Sequence, residues 1–432
     1  MGEERIAASA DPAARRPGEP LRLLVISQHY WPEAFRINSF VETLIAAGAE
    51  VAVLTGQPNY PAGETFEGYR WYRAGTERHP GGYDIYRVPL FPRGRAGAVR
   101  LALNYLSFIL AGWLVAPVLL RGRRFDVLFV YGTSPILQGV VGLPLRRLKR
   151  ARLVLWVQDL WPHVLVATGY VRSPRILRGV QRLVGWLYRR NDLILAQSEA
   201  FAEAIRPHAG RVPVRYFPNP GDVAATVAGP PARDLPKAFN VVFAGNLGRA
   251  QSLDTVVEAA ALLRERPDIR ITLFGSGAME AELAAQIERG GLGNLVLGGR
   301  LPPEAMAGIY AQADALLLTL VDDEMIARTI PSKLQSYLAA GVPVVAATGG
   351  EAARIVEGSG AGLVCPPEDA SALAATILAL REAEPRRRAE MGVAAREYYR
   401  AHFDPERLAQ SLLEQLTMLP GRWARADEDR GQ

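Results

Sequence analysis

The chain has 432 residues, of which 49% are hydrophobic, so it is long enough for two domains that each bury a core. Its single cysteine, Cys365, excludes an intramolecular disulfide and fits a reducing compartment, and no Cys/His cluster has metal-site spacing. The net charge of +6 hides an asymmetry: residues 1–220 carry 29 Lys and Arg against 16 Asp and Glu, whereas residues 221–432 carry 21 against 28. The first half is therefore expected to face something anionic.

The basic half does not have the pattern expected of a nucleic-acid-binding surface. Nearly all its cations are arginines that lie among apolar runs, which favours an anionic membrane surface as the partner. We expect no nucleic acid partner and a peripheral or monotopic position on the cytoplasmic face of the inner or plasma membrane. Residues 1–20 and 421–432 are expected to be a disordered leader, which is not a secretory signal, and a disordered tail.

Residues 21–27 and 51–55 are short apolar runs, and residues 37–47 between them have helical apolar spacing that Gly48 closes. This order predicts a strand–helix–strand unit and hence a parallel sheet. Further strands are predicted at residues 84–89, 126–131, 152–157 and 193–197. The turn-rich segment 216–221 then marks the boundary between two domains, which we place after residue 217.

The loop 28–38 follows the first strand, at the edge of a parallel sheet where ligands bind. It has no pair of glycines, so a phosphate there would need side chains such as Arg36 or His29. His29 and Arg36 are therefore candidate site residues in this loop. The alternative is that the aromatic residues of this segment merely pack the loop.

Asp159 lies two residues beyond the strand predicted at residues 152–157, at the same edge of the sheet. There it could orient a hydroxyl group or accept its proton, and so could His163. The alternative is that Asp159 caps the helix that Pro162 begins.

Residues 101–120 carry no charge and are flanked by Arg100 on one side and by Arg121, Arg123 and Arg124 on the other. Three interpretations stay open: a buried helix beside the sheet, a helix in the membrane interface with its arginines at the headgroups, and a transmembrane span. Polar residues and a proline within the segment disfavour the span.

The second half repeats a strand–loop–helix plan, which predicts a second doubly wound domain. Its strands are predicted at residues 240–244, 271–274, 295–297, 315–318 and 342–346. After the first of them, Gly245, Asn246 and Arg249 lie in a turn before a helix, where backbone amides and a guanidinium can approach a phosphate. Gly275 and Gly277 follow the second strand in the same way.

The segment 329–346 is the strongest motif in the sequence. Pro331 is expected in the first turn of a helix, and Ser332 and Lys333 lie at its N-terminus, where free amides and the helix dipole favour an anion. Gly341 ends the helix, and an apolar strand follows. This arrangement predicts a cationic, phosphate-sized socket, with an ordinary helix cap as the alternative. The acidic run 322–324 could ligate Mg²⁺ but is more typical of a solvated loop, so no metal is expected.

These segments resemble the GT-B glycosyltransferases, and among them the retaining enzymes of glycosyltransferase family 4. Within that family the chain resembles the bacterial O-antigen and capsule enzymes of the N-acetylfucosaminyltransferase type. The resemblance covers about residues 21–417, and the segments that carry it are residues 28–38, 159–162, 244–251 and 330–343.

The resemblance implies an α/β protein with two Rossmann-like doubly wound domains that face a cleft. Residues 21–217 would form the acceptor-side domain and residues 218–400 the nucleotide-sugar-binding domain, with a C-terminal helix at residues 401–420 that crosses back. Asp159, Arg249 and Lys333 would be the catalytic residues, the last two through the diphosphate. The implied nucleotide-sugar-binding residues are Gly245, Asn246, Arg249, Gly275, Gly277, Arg300, Thr329, Ser332, Lys333 and Ser336. His29, Arg36, Asn38 and His163 would be acceptor-side residues.

The chain departs from the family pattern at several of these positions. Many members have a Glu where this chain has Arg328, and an Arg and a Lys where it has Asn246 and Gln251. Gln158 replaces the usual His of a His-Asp pair. Because Gln cannot accept a proton, any base role passes to Asp159, or the leaving diphosphate takes the proton and catalysis is mainly electrostatic.

We therefore expect a retaining transferase that moves a sugar, an N-acetylated amino or deoxy sugar, from a UDP-sugar to a polyprenyl-diphosphate-linked acceptor. The process would be surface polysaccharide synthesis, without a cofactor. Two alternatives stay open: a sugar-nucleotide epimerase or hydrolase on the same fold, and a non-catalytic membrane-bound scaffold.

Overall fold

A computed structural model of the chain describes residues 19–94, 97–167, 173–221 and 233–419. The segments expected to be disordered, at the two ends of the chain, lie almost entirely outside the described residues. The chain divides into two compact units. The first unit comprises residues 1–159, 186–194 and 409–432, and the second comprises residues 160–185 and 195–408. The domain boundary after residue 217 stays a prediction.

The first sheet has eight strands and is mainly parallel. They are β1 (Arg22–Ile26), β2 (Glu50–Thr55), β3 (Gly75–Arg78), β4 (Asp84–Arg87), β5 (Val127–Gly132), β6 (Arg152–Val157), β7 (Leu193–Ala196) and β8 (Val214–Tyr216). Their order is β3-β4-β2-β1-β5-β6-β7-β8. β1 pairs in parallel with β2 and β5, whereas β3 pairs with β4 in the antiparallel direction. Every residue of β5 is buried, as expected of a parallel strand covered on both faces.

Seven α-helices accompany these strands in the described part of the chain. They are α1 (Arg36–Ala46), α2 (Ala98–Leu114), α3 (Ala116–Leu119), α4 (Gly142–Leu148), α5 (His163–Ala167), α6 (Pro174–Tyr188) and α7 (Glu199–Ala209). A 3-10 helix, Ile136–Val141, precedes α4 and packs on α2.

The uncharged segment 101–120 is not one helix, because it breaks at Val115 between α2 and α3. Pro117 lies in the first turn of α3, and its ring and missing N–H interrupt a helix that arrives from the N-terminal side. α2 buries Asn104 and Phe108 on one face and exposes Leu106 and Leu110 on the other. Within the four described ranges, no helix combines the length and apolarity needed to cross a bilayer.

The second sheet has six strands. They are β9 (Phe239–Ala244), β10 (Ile269–Phe274), β11 (Leu295–Gly299), β12 (Ala315–Thr319), β13 (Val344–Ala347) and β14 (Gly362–Cys365). All their pairings are parallel, in the order β11-β10-β9-β12-β13-β14. The strand order reverses beside β9, and the loops at such a switch point commonly bind the ligand in α/β sheets.

Nine α-helices complete the described chain. They are α8 (Leu253–Leu262), α9 (Glu280–Gly290), α10 (Pro303–Tyr310), α11 (Glu324–Ala327), α12 (Ser332–Ala340), α13 (Gly350–Ser359), α14 (Ala370–Glu382), α15 (Pro385–His402) and α16 (Pro405–Thr417). The predicted strands of both halves are confirmed, with ends that differ by at most two residues. β3, β8 and β14 were not predicted: β3 and β8 are short and lack a continuous apolar run, and β14 is an apolar run of only four residues that begins with a glycine.

The helix of the predicted socket, α12, is confirmed at both ends with one correction. Pro331 is the residue before the first helical turn, with φ −65° and ψ 135°, and so does not lie inside that turn. Gly341 ends the helix in the left-handed conformation, at φ +67°. A Cβ at Gly341 would lie 2.1 Å from Nε of Arg396 on α15, so both conformation and space require glycine there.

Tyr337 ties α12 to the end of β9. Its side chain is fully buried, and its hydroxyl oxygen accepts a hydrogen bond of 2.9 Å from the amide of Ala244. The same hydroxyl donates to the carbonyl oxygen of Ala244 at 3.3 Å. These contacts fix the helix against the strand immediately before the loop that begins at Gly245.

We predict that Tyr337→Phe lowers the free energy of unfolding by about 1–3 kcal/mol, because it leaves the buried amide of Ala244 without a partner. Urea unfolding followed by circular dichroism measures the change. Tyr310→Phe, in the neighbouring buried ring, is the matched control and should change the value by less than about 0.5 kcal/mol. Equal effects of the two substitutions would contradict the role given to the Tyr337 hydroxyl.

Candidate functional site

Loops from three strands of the second unit meet at the carboxyl ends of β9, β10 and β11. The amide of Gly245 donates to the carbonyl of Phe274 at 2.9 Å, and the amide of Gly275 donates to the carbonyl of Gly299 at 2.9 Å. A Cβ at Gly275 would lie 1.8 Å from the carbonyl oxygen of Gly245, and Gly275 has φ +139°. The two loops therefore touch backbone to backbone, which only glycine allows.

The same crowding recurs one turn further along the loop. A Cβ at Gly277 would lie 2.4 Å from the carbonyl oxygen of Leu247. The amide of Leu247 donates to the carbonyl oxygen of Ser276 at 3.0 Å, so these two loops also meet backbone to backbone. Gly245, Gly275 and Gly277, all predicted as site residues, are thus brought together. The result is a cradle of exposed backbone at the start of the β9 loop.

Lys333 projects from the first turn of α12 toward this cradle. Its ammonium nitrogen lies 3.7 Å from the ring centroid of Phe243 and donates a hydrogen bond to Oε1 of Gln251. A Cβ at Gly245 would lie 3.2 Å from the same nitrogen, so the missing side chain leaves room beside the cation. The structure therefore brings Lys333 next to Gly245, another residue predicted for the donor site.

The charge on Lys333 is not compensated by protein carboxylates. Among the described residues no Asp or Glu forms an ion pair with it, and its ammonium group donates to the neutral amide of Gln251. Burial lowers the pKa of Lys333 to about 7. An anion beside the ammonium would favour its protonated form, so this site is built to take up negative charge.

The other predicted residues of the donor site surround this point less closely. Arg249 is exposed and begins a short 3-10 helix, Arg249–Gln251. The last residue of this helix, Gln251, is the one that accepts from Lys333. Ser332 is the exposed first residue of α12, and Asn246 is exposed in the loop after β9. Arg300 is exposed directly after β11.

Two predicted residues are occupied by local hydrogen bonds. The hydroxyl of Thr329 donates to the carbonyl of Ile326 at 2.8 Å, and that of Ser336 approaches the carbonyl of Ser332 at 3.5 Å. In the acidic run before them, Asp323 caps α11 by accepting from two amides of that helix, each at 2.9 Å. Within the described ranges, no three His, Cys, Asp or Glu side chains are placed to hold a metal.

In the first unit, Asp159 lies at the carboxyl end of β6, as predicted. Its carboxylate accepts a hydrogen bond of 2.7 Å from the amide of Ser134, in the loop after β5. This bond joins two neighbouring loops and does not correspond to the helix cap considered as the alternative. Burial raises the pKa of the nearby Tyr131 to about 12, and Asp159 adds to that rise while Arg36 opposes it. Asp159 and Arg36 therefore lie within electrostatic reach of one ring.

His29 is 3% exposed, so the loop 28–38 is more deeply buried at this position than a substrate-contacting side chain would be. Its Nδ1 lies 3.1 Å from each carboxylate oxygen of Glu33. The same carboxylate accepts from the amides of Asn59 at 2.7 Å and Tyr60 at 2.6 Å. Glu33, which the sequence did not single out, thus organises the loop, and the packing alternative describes His29 better.

The two other histidine and asparagine residues predicted for the acceptor side, Asn38 and His163, lie in different units of the structure. Asn38 donates its side-chain amide to the carbonyl of Glu33 at 2.7 Å and so supports the same loop. His163 belongs to the second unit, where partial burial and the positive charge of Arg328 lower its pKa, while Glu324 acts in the opposite direction. The structure therefore does not group His163 with His29.

Several contributors were invisible in the sequence. Tyr337 and Phe243 belong to ordinary apolar patterns, and nothing in those patterns distinguishes a ring that lies beside a cation from one that only fills the core. Gln251 was noted as a departure from the family pattern, but its contact with Lys333 depends on the fold. Ser134 had no signal apart from its position after a strand.

We predict that the affinity of the protein for UDP falls as the pH rises above 7. Lys333 is half-protonated near pH 7 in the empty site, and an anion raises its pKa, so each binding event takes up a proton in this range. The dissociation constant should increase toward tenfold per pH unit between pH 7 and 9 and should change little through Lys333 below pH 7. Isothermal titration calorimetry in buffers of different ionisation enthalpy measures both affinity and proton uptake.

Lys333→Met should weaken UDP binding by roughly 10–100-fold at pH 7, the loss of one charge-assisted hydrogen bond, and should abolish the pH dependence. Lys237→Met removes an exposed lysine from the same unit and should alter neither. A pH profile that persists in Lys333→Met would show that another group takes up the proton.

Comparison with known protein families shows that both halves of the chain match glycosyltransferase domains. Residues 34–220 match the glycosyl transferase 4-like domain, and residues 238–383 match the glycosyl transferases group 1 domain. Together these two matches span more than half of the chain and include the loops that carry Asp159, Arg249 and Lys333.

Individual relatives have low sequence identity, but the matches extend over most of this chain. WcaI of Escherichia coli K12, described as a colanic acid biosynthesis glycosyl transferase, is 26% identical over 339 residues, which are 74% of this chain and 82% of WcaI. The glycosyltransferase WbjE of Pseudomonas aeruginosa is 28% identical over 305 residues, 68% of this chain and 74% of WbjE. The crystal structure of Anabaena HepE in complex with UDP has the same fold, with a TM-score of 0.62, 17% identity and coverage of 92% of this chain and 99% of HepE. The chain is therefore a glycosyltransferase of the GT-B fold, in which a glycosyl transferase 4-like domain precedes a group 1 domain.

Proposed function

We propose that the protein is a retaining glycosyltransferase that moves a sugar from a UDP-sugar to a polyprenyl-diphosphate-linked acceptor. The observation that carries the proposal is Lys333, a partly buried cation that has no carboxylate partner among the described residues and lies beside a cradle of glycine backbone. A diphosphate supplies the missing negative charge. WcaI and WbjE, two relatives that carry glycosyltransferase names, support a role in surface polysaccharide synthesis, and HepE, which binds UDP, supports the donor class.

In the proposed reaction the second unit holds the donor. Lys333 and Arg249 contact the diphosphate, and the backbone amides after β9 and at the start of α12 add donors aimed at the same oxygens. The acceptor hydroxyl attacks the anomeric carbon on the same face from which the diphosphate leaves, as the bond from that carbon to the diphosphate oxygen breaks, so the anomeric configuration is retained. The proton of the hydroxyl passes to the departing diphosphate, and UDP leaves. The cations stabilise the charge that develops on the leaving group.

Asp159 and Arg36 belong to the acceptor side of this proposal. Both lie at the carboxyl edge of the first sheet and act on the same tyrosine ring electrostatically. The bond from the amide of Ser134 holds the carboxylate of Asp159 in place, which suits a group that orients a hydroxyl. The transferred sugar is proposed to be an N-acetylated amino or deoxy sugar, on the resemblance alone.

A lipid-linked acceptor requires the enzyme to reach a membrane, and α2 offers a surface for it. Leu103, Leu106, Leu110 and Trp113 follow one another at helical spacing and are 45%, 62%, 58% and 44% exposed. Arg100 is exposed in the first turn of α2, at the N-terminal end of this apolar stripe, where it would meet anionic headgroups. We place the enzyme at the cytoplasmic face of the inner or plasma membrane, bound through this stripe.

Transfer is tested with purified protein, a panel of UDP-sugars and a polyprenyl-diphosphate-linked saccharide. We expect one donor to be consumed rapidly only when the acceptor is present, and NMR of the product should show the anomeric configuration of the donor. Lys333→Met should lower the rate at least tenfold because stabilisation of the leaving diphosphate is lost. Equal consumption of donor without acceptor would favour the epimerase or hydrolase, and an inverted product would overturn the retaining mechanism.

Membrane binding is tested by sedimentation with vesicles of phosphatidylcholine alone or mixed with phosphatidylglycerol. The wild-type protein should bind the anionic vesicles, and Leu106→Glu with Leu110→Glu should lose at least tenfold in affinity because two charges enter the apolar contact. Leu262→Glu, at a residue that is 59% exposed in the second unit, is the matched control and should bind normally. Normal binding by the double variant would exclude α2 as the membrane surface.

A further inference from the structure

A pocket of about 470 Å³ opens in the first unit beside the carboxyl ends of β2 and β4. Its lining includes Gln57, Arg70, Arg73, Glu77 and Arg87. None of these residues was predicted as a site residue, and the proposed function does not use them. The volume lies within the usual range for small-ligand pockets.

Two buried polar side chains of the lining have unsatisfied atoms. Gln57 is 4% exposed and Arg87 is 3% exposed, yet Oε1 of Gln57 and Nε of Arg87 have no hydrogen-bond partner. Their other polar atoms are engaged: Nε2 of Gln57 donates to the carbonyl of Arg73 at 2.7 Å, and Nη1 of Arg87 donates to the carbonyl of Gly56 at 3.0 Å. Both atoms have less than 1 Å² of accessible surface, so they lie behind the pocket wall, where they make the wall polar without contacting a ligand directly.

The charge of the lining indicates the sign of that ligand. Arg87 forms an ion pair with Glu77 at 2.5 Å, which leaves the pocket with the two further cations Arg70 and Arg73. Arg73 is exposed and has no ion-pair partner among the residues that the structure describes, and Arg70 contacts only the hydroxyl of Tyr72, at 3.3 Å. A carboxylate is a fitting partner for such guanidinium groups, because both of its oxygens can accept from one fork.

Exposed aromatic rings stand next to these arginines. Trp71 is 45% exposed and Tyr72 is 56% exposed, and their rings meet edge to face with centroids 5.6 Å apart. Trp71 also contacts Phe91, with centroids 5.8 Å apart, so the indole is held in place although it faces solvent. A rigid exposed ring that has polar neighbours suits the mixed apolar and hydroxyl surface of a sugar.

The strand order gives the distance between the pocket and Asp159, the residue proposed to orient the acceptor hydroxyl. β2 and β4 are three and four strands from β6 in the first sheet, and Asp159 lies at the same edge beyond β6. With neighbouring strands 4.7–4.9 Å apart, the pocket lies roughly 15–20 Å from Asp159. A ligand that reaches from one to the other is an oligosaccharide, and the pocket would hold a sugar remote from the reacting hydroxyl.

From these observations we infer that the pocket of Gln57, Arg73 and Arg87, with Trp71 beside it, is a subsite for an acidic sugar of the acceptor oligosaccharide. The sugar carboxylate pairs with Arg70 and Arg73. The exposed ring of Trp71, which lies between these arginines in the chain and outside the pocket lining, is available to the apolar face of the sugar. The inference rests on the proposed function, since it assigns the acceptor to the first unit. If the subsite holds such a sugar, the acceptor is an acidic glycan of several residues. This enzyme then acts after the first sugars of that glycan have been joined.

The test compares two tetrasaccharides of equal length, one acidic and one neutral. Ligand-observed NMR and calorimetry measure binding of a hyaluronan tetrasaccharide, which carries glucuronate, and of N-acetylchitotetraose, which does not. We expect the wild-type protein to bind the acidic probe at least fivefold more tightly. Arg70→Ala with Arg73→Ala should remove that preference, and Trp71→Ala should weaken both probes.

Arg78→Ala is the matched control. It removes an arginine from the other end of β3, where the side chain is 66% exposed, pairs with Asp84 and lies outside the pocket lining. This variant should keep the preference for the acidic probe. Equal binding of the two probes by the wild-type protein, no binding of either, or an equal loss in Arg78→Ala would overturn the inference.

UDP binding measured on the same samples separates this inference from the proposed function. All these variants should bind UDP as the wild-type protein does, because none of the changed residues lies in the second unit. If UDP binds and the acidic preference is missing, only the subsite is wrong. If no variant and no wild-type sample binds UDP, the proposed function fails independently of the saccharide result.

Discussion

The site of this glycosyltransferase depends on one uncompensated ammonium group. Lys333 is held by burial against the face of Phe243 and by a neutral amide, without a carboxylate among the described residues. A protein that placed a carboxylate there would stabilise its empty form and would compete with any anionic ligand. Leaving the cation unpaired costs stability in the empty state, and that cost is recovered when a diphosphate arrives.

Everything around the cation keeps its position fixed relative to the glycine loops. Tyr337 joins the same helix to the last residue of β9, and Gly275 lies against the carbonyl of Gly245. The helix start, the strand end and the two loops therefore form one connected backbone framework. Such a framework has little freedom to lose when a ligand binds, which favours affinity.

The sequence predicts the architecture well because its signals are local. Apolar runs separated by glycine-bearing loops define parallel strands, and Pro331 and Gly341 mark the two ends of α12 to within one residue. β3, one of the missed strands, has no such run. Long-range partners could not be predicted in the same way. The bond from Ser134 to Asp159, the ring of Phe243 beside Lys333 and the carboxylate of Glu33 below His29 all depend on residues that come together only in the folded chain. His29 illustrates the limit, because a loop at the right edge of a sheet can still turn its histidine inward.

The backbone contact between the two glycine loops also limits how this enzyme can be re-engineered. A Cβ at Gly275 or Gly277 would overlap a main-chain carbonyl, so no side chain there can be accommodated by repacking alone. Saturation libraries aimed at new donor sugars should therefore leave these two codons unchanged. Diversity is better placed at the exposed residues Asp322 and Glu324, on either side of the Asp323 that caps α11, because their side chains can change without forcing the main chain apart.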